Sequence, residues 1–142
     1  MVSGKLKEHF NHWISAEARF LHSLGLSPNS TTALGFLFSL ASGFLYLNWK
    51  MSPLALPMAG LLLLLSGFFD AVDGAIARIS NTVTAFGGFF DSLLDRYSDA
   101  VVLAAITLGG LCDPLWGVSS LTGSLLVSYA RARAEASGVK MA

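Results

Sequence analysis

Apolar and polar positions divide the chain into four long apolar stretches separated by short polar breaks. The first, Thr31 to Trp49, reads TTALGFLFSLASGFLYLNW and has the length of about 20 residues that a membrane-crossing helix needs. The second, Leu54 to Phe69, runs on without a breaker through DAVDGAIAR to Arg78. The third covers Gly87 to Leu111, and its first half carries ionised residues. The fourth, Pro114 to Tyr129, contains four serines and a threonine, which suit helix packing inside a bundle better than contact with lipid. Ahead of these, Leu6, Phe10, Trp13, Ile14, Leu21 and Leu24 fall near helical spacing, with Lys5, Lys7 and Arg19 between them. That pattern predicts an amphipathic helix over residues 5–24, lying in the membrane interface with Trp13 at headgroup level, and not a cleaved signal peptide. The segment from Leu26 to Thr31 predicts a capped start to the first span, with Asn29 or Ser30 at the N-cap.

Composition agrees with this pattern. Of the 142 residues, 54% are apolar and only 13% charged, against roughly 45–50% and about 25% in a soluble domain. So few charges cannot cover a globular surface, which excludes a disordered segment, a nucleic-acid-binding tail and an ordinary cytosolic domain. Nine basic and nine acidic residues cancel, so no bulk field would draw the chain to a polyanion, and nucleic acid is not an expected partner. One cysteine, Cys112, rules out an internal disulfide framework and a multi-cysteine zinc site. The fold class expected is all-α: a polytopic membrane bundle with an interfacial N-terminal helix and four transmembrane helices, forming one domain over residues 1–142. Lys5, Lys7, Arg19, Arg78, Arg131, Arg133 and Lys140 flank one side, and only Lys50 and Asp113 the other. The positive-inside rule then predicts a multi-pass protein with both termini cytoplasmic. Trp49 and Trp116 read as interface anchors.

The acidic residues change the picture most. Asp70, Asp73, Asp91, Asp95 and Asp99 lie on two apolar helices, where an ionised group at bilayer depth costs a few kcal/mol unless it meets a polar cavity or an ion. Asp70 and Asp73 are three apart, with Gly74 and Ala77 alongside; Asp91 and Asp95 are four apart, with Gly87 one turn earlier and Asp99 one turn later. Each set therefore shares a helix face. Carboxylates gathered in apolar surroundings repel unless cations intervene. Oxygen-only ligands select hard ions such as magnesium, manganese or calcium, and two such ions roughly 3.5–4 Å apart match a phosphoryl-transfer site. Arg78, just beyond Asp73, can hold a phosphate. A plainer alternative is that these aspartates cap helices or pair with Arg78 and Arg96. A cation or proton transporter also uses intramembrane carboxylates, but near mid-membrane in broken helices, whereas these lie toward one end beside arginine.

Read together, the residues spell Asp70-x-x-Asp73-Gly74-x-x-Ala77-Arg78, eight further residues, then Gly87-x-x-x-Asp91-x-x-x-Asp95. This resembles, position for position, the signature of the CDP-alcohol phosphotransferases. Pro28-Asn29-Ser30-Thr31-Thr32 is similar to that family's start of its first span, and Ser128 to Glu135 to its segment after span four. The resemblance implies transfer of a phosphoalcohol group from a CDP-linked lipid to an acceptor hydroxyl, with release of CMP. It implies a cytoplasm-facing site in a six-span bundle, commonly a homodimer embedded among membrane lipids, so the last two spans are expected to be missing here. By the same resemblance, Asp70, Asp73, Asp91 and Asp95 are metal ligands for one or two Mg2+ or Mn2+ ions, with Asp91 and Asp95 catalytic and Asp95 the general base. Asn29, Thr32, Asp70, Asp73, Gly74, Ala77, Arg78 and Gly87 are expected around the nucleotide. Within the family, Ser128-Tyr129-Ala130-Arg131-Ala132-Arg133-Ala134-Glu135 resembles the phosphatidylinositol-phosphate and archaetidylinositol-phosphate synthases. There the basic pair, here Arg131 and Arg133, binds the phosphate of inositol phosphate; glycerol 3-phosphate is the alternative acceptor.

Overall fold

The computed structural model describes residues 25, 27–80 and 82–138. The interfacial helix expected over residues 5–24 lies outside them. The described chain is helical throughout: α1 (Pro28–Leu47), a short 3-10 turn (Trp49–Met51), α2 (Ala55–Ile79), α3 (Ala85–Leu108) and α4 (Pro114–Ala136).

Local chemistry sets these boundaries. The N-cap of α1 is Ser27, not Asn29 or Ser30 as expected. Its hydroxyl accepts from the Ser30 amide at 3.2 Å while the Ser30 hydroxyl accepts from the Ser27 amide at 3.0 Å, a reciprocal capping box. Pro28, which has no N–H to satisfy, occupies the first turn. Thr84 caps α3 by accepting from the Gly87 amide at 2.9 Å, so that helix begins two residues before Gly87. Asp113 caps α4 through the Leu115 amide at 2.9 Å, again with proline in the first turn. Gly110, at φ +75°, turns the chain between α3 and α4, a backbone conformation that glycine adopts without a Cβ penalty. The α4 helix runs seven residues past Tyr129, because RARAEA holds good helix formers and no breaker.

Short connections make successive helices run antiparallel. In this arrangement α1 is central, packing along both α2 and α3, and α4 packs against α3. The interior is built from small residues: Thr31, Gly35, Ser39, Ser42, Ala59, Val72, Ala75 and Ala105 are buried. Large apolar side chains, including Leu37, Phe44, Leu61, Leu64, Phe89, Leu108 and Trp116, face outward. Lipid is as apolar as leucine, so helices in a bilayer associate by close backbone approach and hydrogen bonds rather than by burying large side chains. A Cβ on Gly35 would stand 3.2 Å from the Ser66 carbonyl oxygen of α2, and one on Gly43 would stand 3.0 Å from Val101 Cγ1 of α3. Ser42 Oγ donates to the Ala59 carbonyl at 2.8 Å, and Ser39 Oγ to Ser98 Oγ at 2.9 Å. These bonds and close approaches hold α1 against both neighbours.

Helices α1 and α2 are long and apolar enough to cross a membrane. Helix α3 carries Asp91, Asp95, Arg96 and Asp99, and α4 carries serines that lower its hydropathy. All four reach the length of about 20 residues needed; two meet the composition test as well. Trp49, expected as an interface anchor, makes a contact within the bundle. Its Nε1 donates to the Gly109 carbonyl at 2.8 Å, tying the α1–α2 turn to the end of α3.

Candidate active site

The up-and-down topology brings the start of α1, the last part of α2, the first half of α3 and the end of α4 to one end of the bundle. Asp70 and Asp73 from α2 meet Asp91 from α3 there, and each offers a carboxylate oxygen within 4.8 Å of the other two. Asp73 is buried, Asp91 half-buried and Asp70 exposed. Thr32 Oγ1 donates to Asp73 Oδ2 at 2.5 Å, so α1 also positions the cluster. Asp91 Oδ1 is buried with no hydrogen-bond partner among the described residues. An orphaned carboxylate oxygen is expensive to bury, and here it faces two further carboxylates. An all-oxygen donor set of this kind fits a hard divalent cation.

Two cavities are bordered by these carboxylates. The smaller, about 220 Å³, is lined by Asn29, Thr32, Asp73, Gly74, Ala77, Arg78, Gly87 and Asp91, with Thr82 to Thr84 closing one side. It gathers seven of the eight residues expected around a nucleotide; Asp70 is the exception. The larger, about 570 Å³, is lined at its polar end by Asp70, Asp95, Ser98, Asp99 and Ser124, and deeper by Leu63, Leu94, Val102, Leu103 and Ile106. Thr32 is the residue common to both linings. Gly87 has a more specific task than making room: a Cβ there would stand 3.0 Å from Thr84 Oγ1 and 3.4 Å from Asn29 Oδ1. Its bareness lets α1 approach the start of α3. Arg78 has no ion pair among the described residues, and its Nη1 lies near the place a Gly74 Cβ would take.

Asp95, expected as a fourth ligand, is absent from the cluster. Arg96 takes its carboxylate: Nη2 contacts Asp95 Oδ2, and Nη1 lies 3.7 Å from Asp99 Oδ2. The plain salt-bridge alternative therefore describes Asp95 and Asp99, and not the three clustered carboxylates. Arg131 and Arg133 sit exposed in the last turns of α4, and neither lines either of these two cavities. Positions two apart on a helix point to different sides, and Arg131 pairs with Glu135 at 3.9 Å, so the two do not form a ready-made clamp. Thr84, Ser98 and Ser124 were not singled out as site residues from the sequence. The signal for Thr84 is its place three residues before Gly87, a capping position.

One test of this packing concerns Thr32. Thr32→Val removes the hydroxyl that serves the buried Asp73 oxygen and is expected to cost about 1–3 kcal/mol of stability. Thr32→Ser should restore it. Thermal unfolding in detergent measures the difference, and an unchanged midpoint for the valine variant would show that the bond contributes nothing.

An all-helical bundle with small residues inside, large apolar ones outside and an oxygen-only centre at one end defines a class: helical membrane proteins with a site for a hard divalent cation. Within that class the chain belongs to the CDP-alcohol phosphatidyltransferase family, whose sequence model matches residues 26–142. It is 46% identical over 121 residues to the archaetidylinositol phosphate synthase of Pyrococcus horikoshii, covering 83% of this chain and 60% of that one. It is 42% identical over 119 residues to the archaetidylinositol phosphate synthase of Methanothermobacter thermautotrophicus, covering 84% and 58%. The chain thus spans about 60% of the length of these relatives. Its fold superposes on the crystal structure of Mycobacterium tuberculosis phosphatidylinositol phosphate synthase with CDP-DAG bound, at a TM-score of 0.73 and 31% identity, covering 88% of this chain and 64% of that one. A second crystal structure of that protein contains manganese and citrate.

Proposed function

We propose that the protein transfers a phosphatidyl-type group from a CDP-linked lipid to the hydroxyl of a polar acceptor, inositol phosphate, releasing CMP. The observation that carries this reading is the pair of cavities bordered by one carboxylate cluster, which gives a nucleotide and an acceptor separate seats beside the same centre. The similarity to the two archaetidylinositol phosphate synthases supports the choice of acceptor.

In this reading the smaller cavity seats the nucleotide, with Asn29, Gly74, Ala77 and Gly87 as walls and Arg78 on phosphate. Asp70, Asp73 and Asp91 would hold Mg2+ or Mn2+, which when bound neutralises pyrophosphate charge. The acceptor hydroxyl enters from the larger cavity, where Asp95 accepts its proton as the oxygen attacks the lipid-side phosphorus and the bond to CMP breaks. Little covalent chemistry falls to the protein; holding the reactants in line and shielding charge supply most of the rate. Arg131 and Arg133 at the end of α4 supply positive charge for the acceptor phosphate, Arg133 having no ion pair among the described residues. We place the N-terminus and the site on the cytoplasmic side, where lysine and arginine concentrate, in a multi-pass protein that pairs as a homodimer among membrane lipids.

The test is metal-dependent release of labelled CMP from CDP-lipid by the intact protein, with inositol phosphate, glycerol 3-phosphate or no acceptor. Release that requires inositol phosphate is expected. No release, together with cation flux in liposomes, would replace the enzyme by a transporter. Arg133→Ala should raise KM for inositol phosphate roughly tenfold while leaving KM for CDP-lipid unchanged, the size expected for a lost charge-assisted contact. An unchanged KM would leave Arg133 as a membrane-side anchor.

A further inference from the structure

Asp95 belongs to the sequence motif yet stands apart from the carboxylates it is spaced to join. It is four residues from Asp91 and four from Asp99, so all three share a face of α3. Arg96 decides which neighbour it meets. Its guanidinium places Nη2 on Asp95 Oδ2 and Nη1 within 3.7 Å of Asp99 Oδ2. Its buried Nε has no partner among the described residues, and the two ends of the fork are engaged with these two carboxylates. Asp99 is fixed in turn from outside the helix, because Ser124 Oγ of α4 donates to the same Oδ2 at 3.1 Å. Asp95, Asp99 and Ser124 line the larger cavity, which they share with Asp70 of the cluster, whereas Asp73 and Asp91 line the smaller one.

A carboxylate one turn from a cation cluster is pulled toward any ion bound there. Something must oppose that pull if Asp95 is to face the other cavity. We propose that Arg96, anchored through Asp99 to Ser124 of α4, is a positioning residue that holds Asp95 out of the cation cluster and turned into the larger cavity. Its catalytic consequence rests on the function proposed above for Asp95; its effect on cation binding does not. A planar fork with two parallel donors suits this bridging role. The chain Asp95–Arg96–Asp99–Ser124 also makes the seating of α4 a determinant of where Asp95 points.

The test measures saturable binding of Mn2+ alone to the purified full chain in detergent, followed by the signal of free Mn2+ in electron paramagnetic resonance. Freed from Arg96, Asp95 would join the ion. Arg96→Met is therefore expected to tighten Mn2+ binding, by a factor roughly fivefold larger when Asp95 is present than in an Asp95→Asn background. Arg96→Lys, which keeps the charge but lacks the fork, should restore only part of the wild-type affinity. Equal tightening in both backgrounds would reduce Arg96 to a nearby positive charge, and no tightening would remove the proposal altogether. If Arg96→Met does not fold, Asp99→Asn and Ser124→Ala loosen the anchor and should shift affinity in the same Asp95-dependent direction. In turnover, Arg96→Met should lower kcat roughly tenfold with KM for CDP-lipid unchanged, with rates referred to the Mn2+-binding fraction because loss of folded protein also lowers kcat at constant KM. Full turnover by Asp95→Asn alongside the expected Mn2+ result would overturn the role of Asp95 and leave the positioning intact. A dead Asp95→Asn with an unaffected Arg96→Met would do the reverse. A wild-type chain with no saturable Mn2+ binding overturns both.

Discussion

Asp91→Asn is expected to abolish CMP release, by at least roughly 10³-fold or about 4 kcal/mol in barrier, and to eliminate Mn2+ binding while leaving the helices intact. Three features of Asp91 make this the most damaging single change. It is the contribution of α3 to a cluster otherwise supplied by α2. Its Oδ1 is buried with no partner among the described residues, so conversion to an amide breaks no hydrogen bond at that atom. An amide also removes the charge that makes an oxygen a strong ligand for a hard ion. Rates of CMP release, Mn2+ titration and far-ultraviolet circular dichroism on the same preparations check it. Turnover near the wild-type rate would remove the cluster from the reaction.

The second large effect concerns packing. Gly117→Ala should destabilise the bundle by about 1–3 kcal/mol, the usual cost of overpacking, and lower activity with it. A Cβ at position 117 would stand 2.0 Å from Thr107 Oγ1, 2.6 Å from Cγ2 and 2.8 Å from Cβ. Thr107 cannot swing aside easily, because its hydroxyl donates to the Leu103 carbonyl at 2.7 Å and a β-branched side chain is stiff on a helix. The helices must separate instead. Since α4 packs against α3, the movement is carried to Ser124 and to the arginines beyond it. Adding Thr107→Ala removes the two nearest atoms but keeps Cβ, so it should recover part of the loss. Thermal midpoints in detergent for the single and double variants read this directly. A Gly117→Ala midpoint equal to wild type would show that the contact relaxes freely.

The sequence made the bundle and its acidic centre legible for a physical reason. Long apolar runs have few folded solutions, and ionised groups within them must have partners. The chain's place in the family was readable from Asp70 to Asp95 for the same reason. Helix ends were less legible. Ser27 wins the cap of α1 over Asn29 and Ser30 because Ser30 reciprocates its bond and Pro28 suits the first turn, a cooperative choice that single-residue preference does not express. The fourth apolar stretch stops at Tyr129 while α4 runs on to Ala136, because hydropathy reports the solvent around a helix and not its backbone. Asp95 shows another limit. Spacing puts it on the face of Asp91, while the guanidinium of its neighbour Arg96 contacts its carboxylate, and side-chain reach is invisible to periodicity. The inward stripe of Thr31, Gly35, Ser39 and Ser42 was present in the sequence as small residues at helical spacing, and it marks the face of α1 that packs.

The segment joining α2 to α3 is held at both ends. The Thr82 amide donates to the Ala77 carbonyl at 3.1 Å, Ser80 Oγ and Thr82 Oγ1 share a proton at 2.6 Å, and Thr84 caps α3. Eight residues separate Arg78 from Gly87 in the sequence. One residue more, taken up by α3, would turn that helix by about 100° and swing Asp91 away from Asp70 and Asp73. Chain length at this point sets the phase of one helix against another, and the spacing within the motif records that phase.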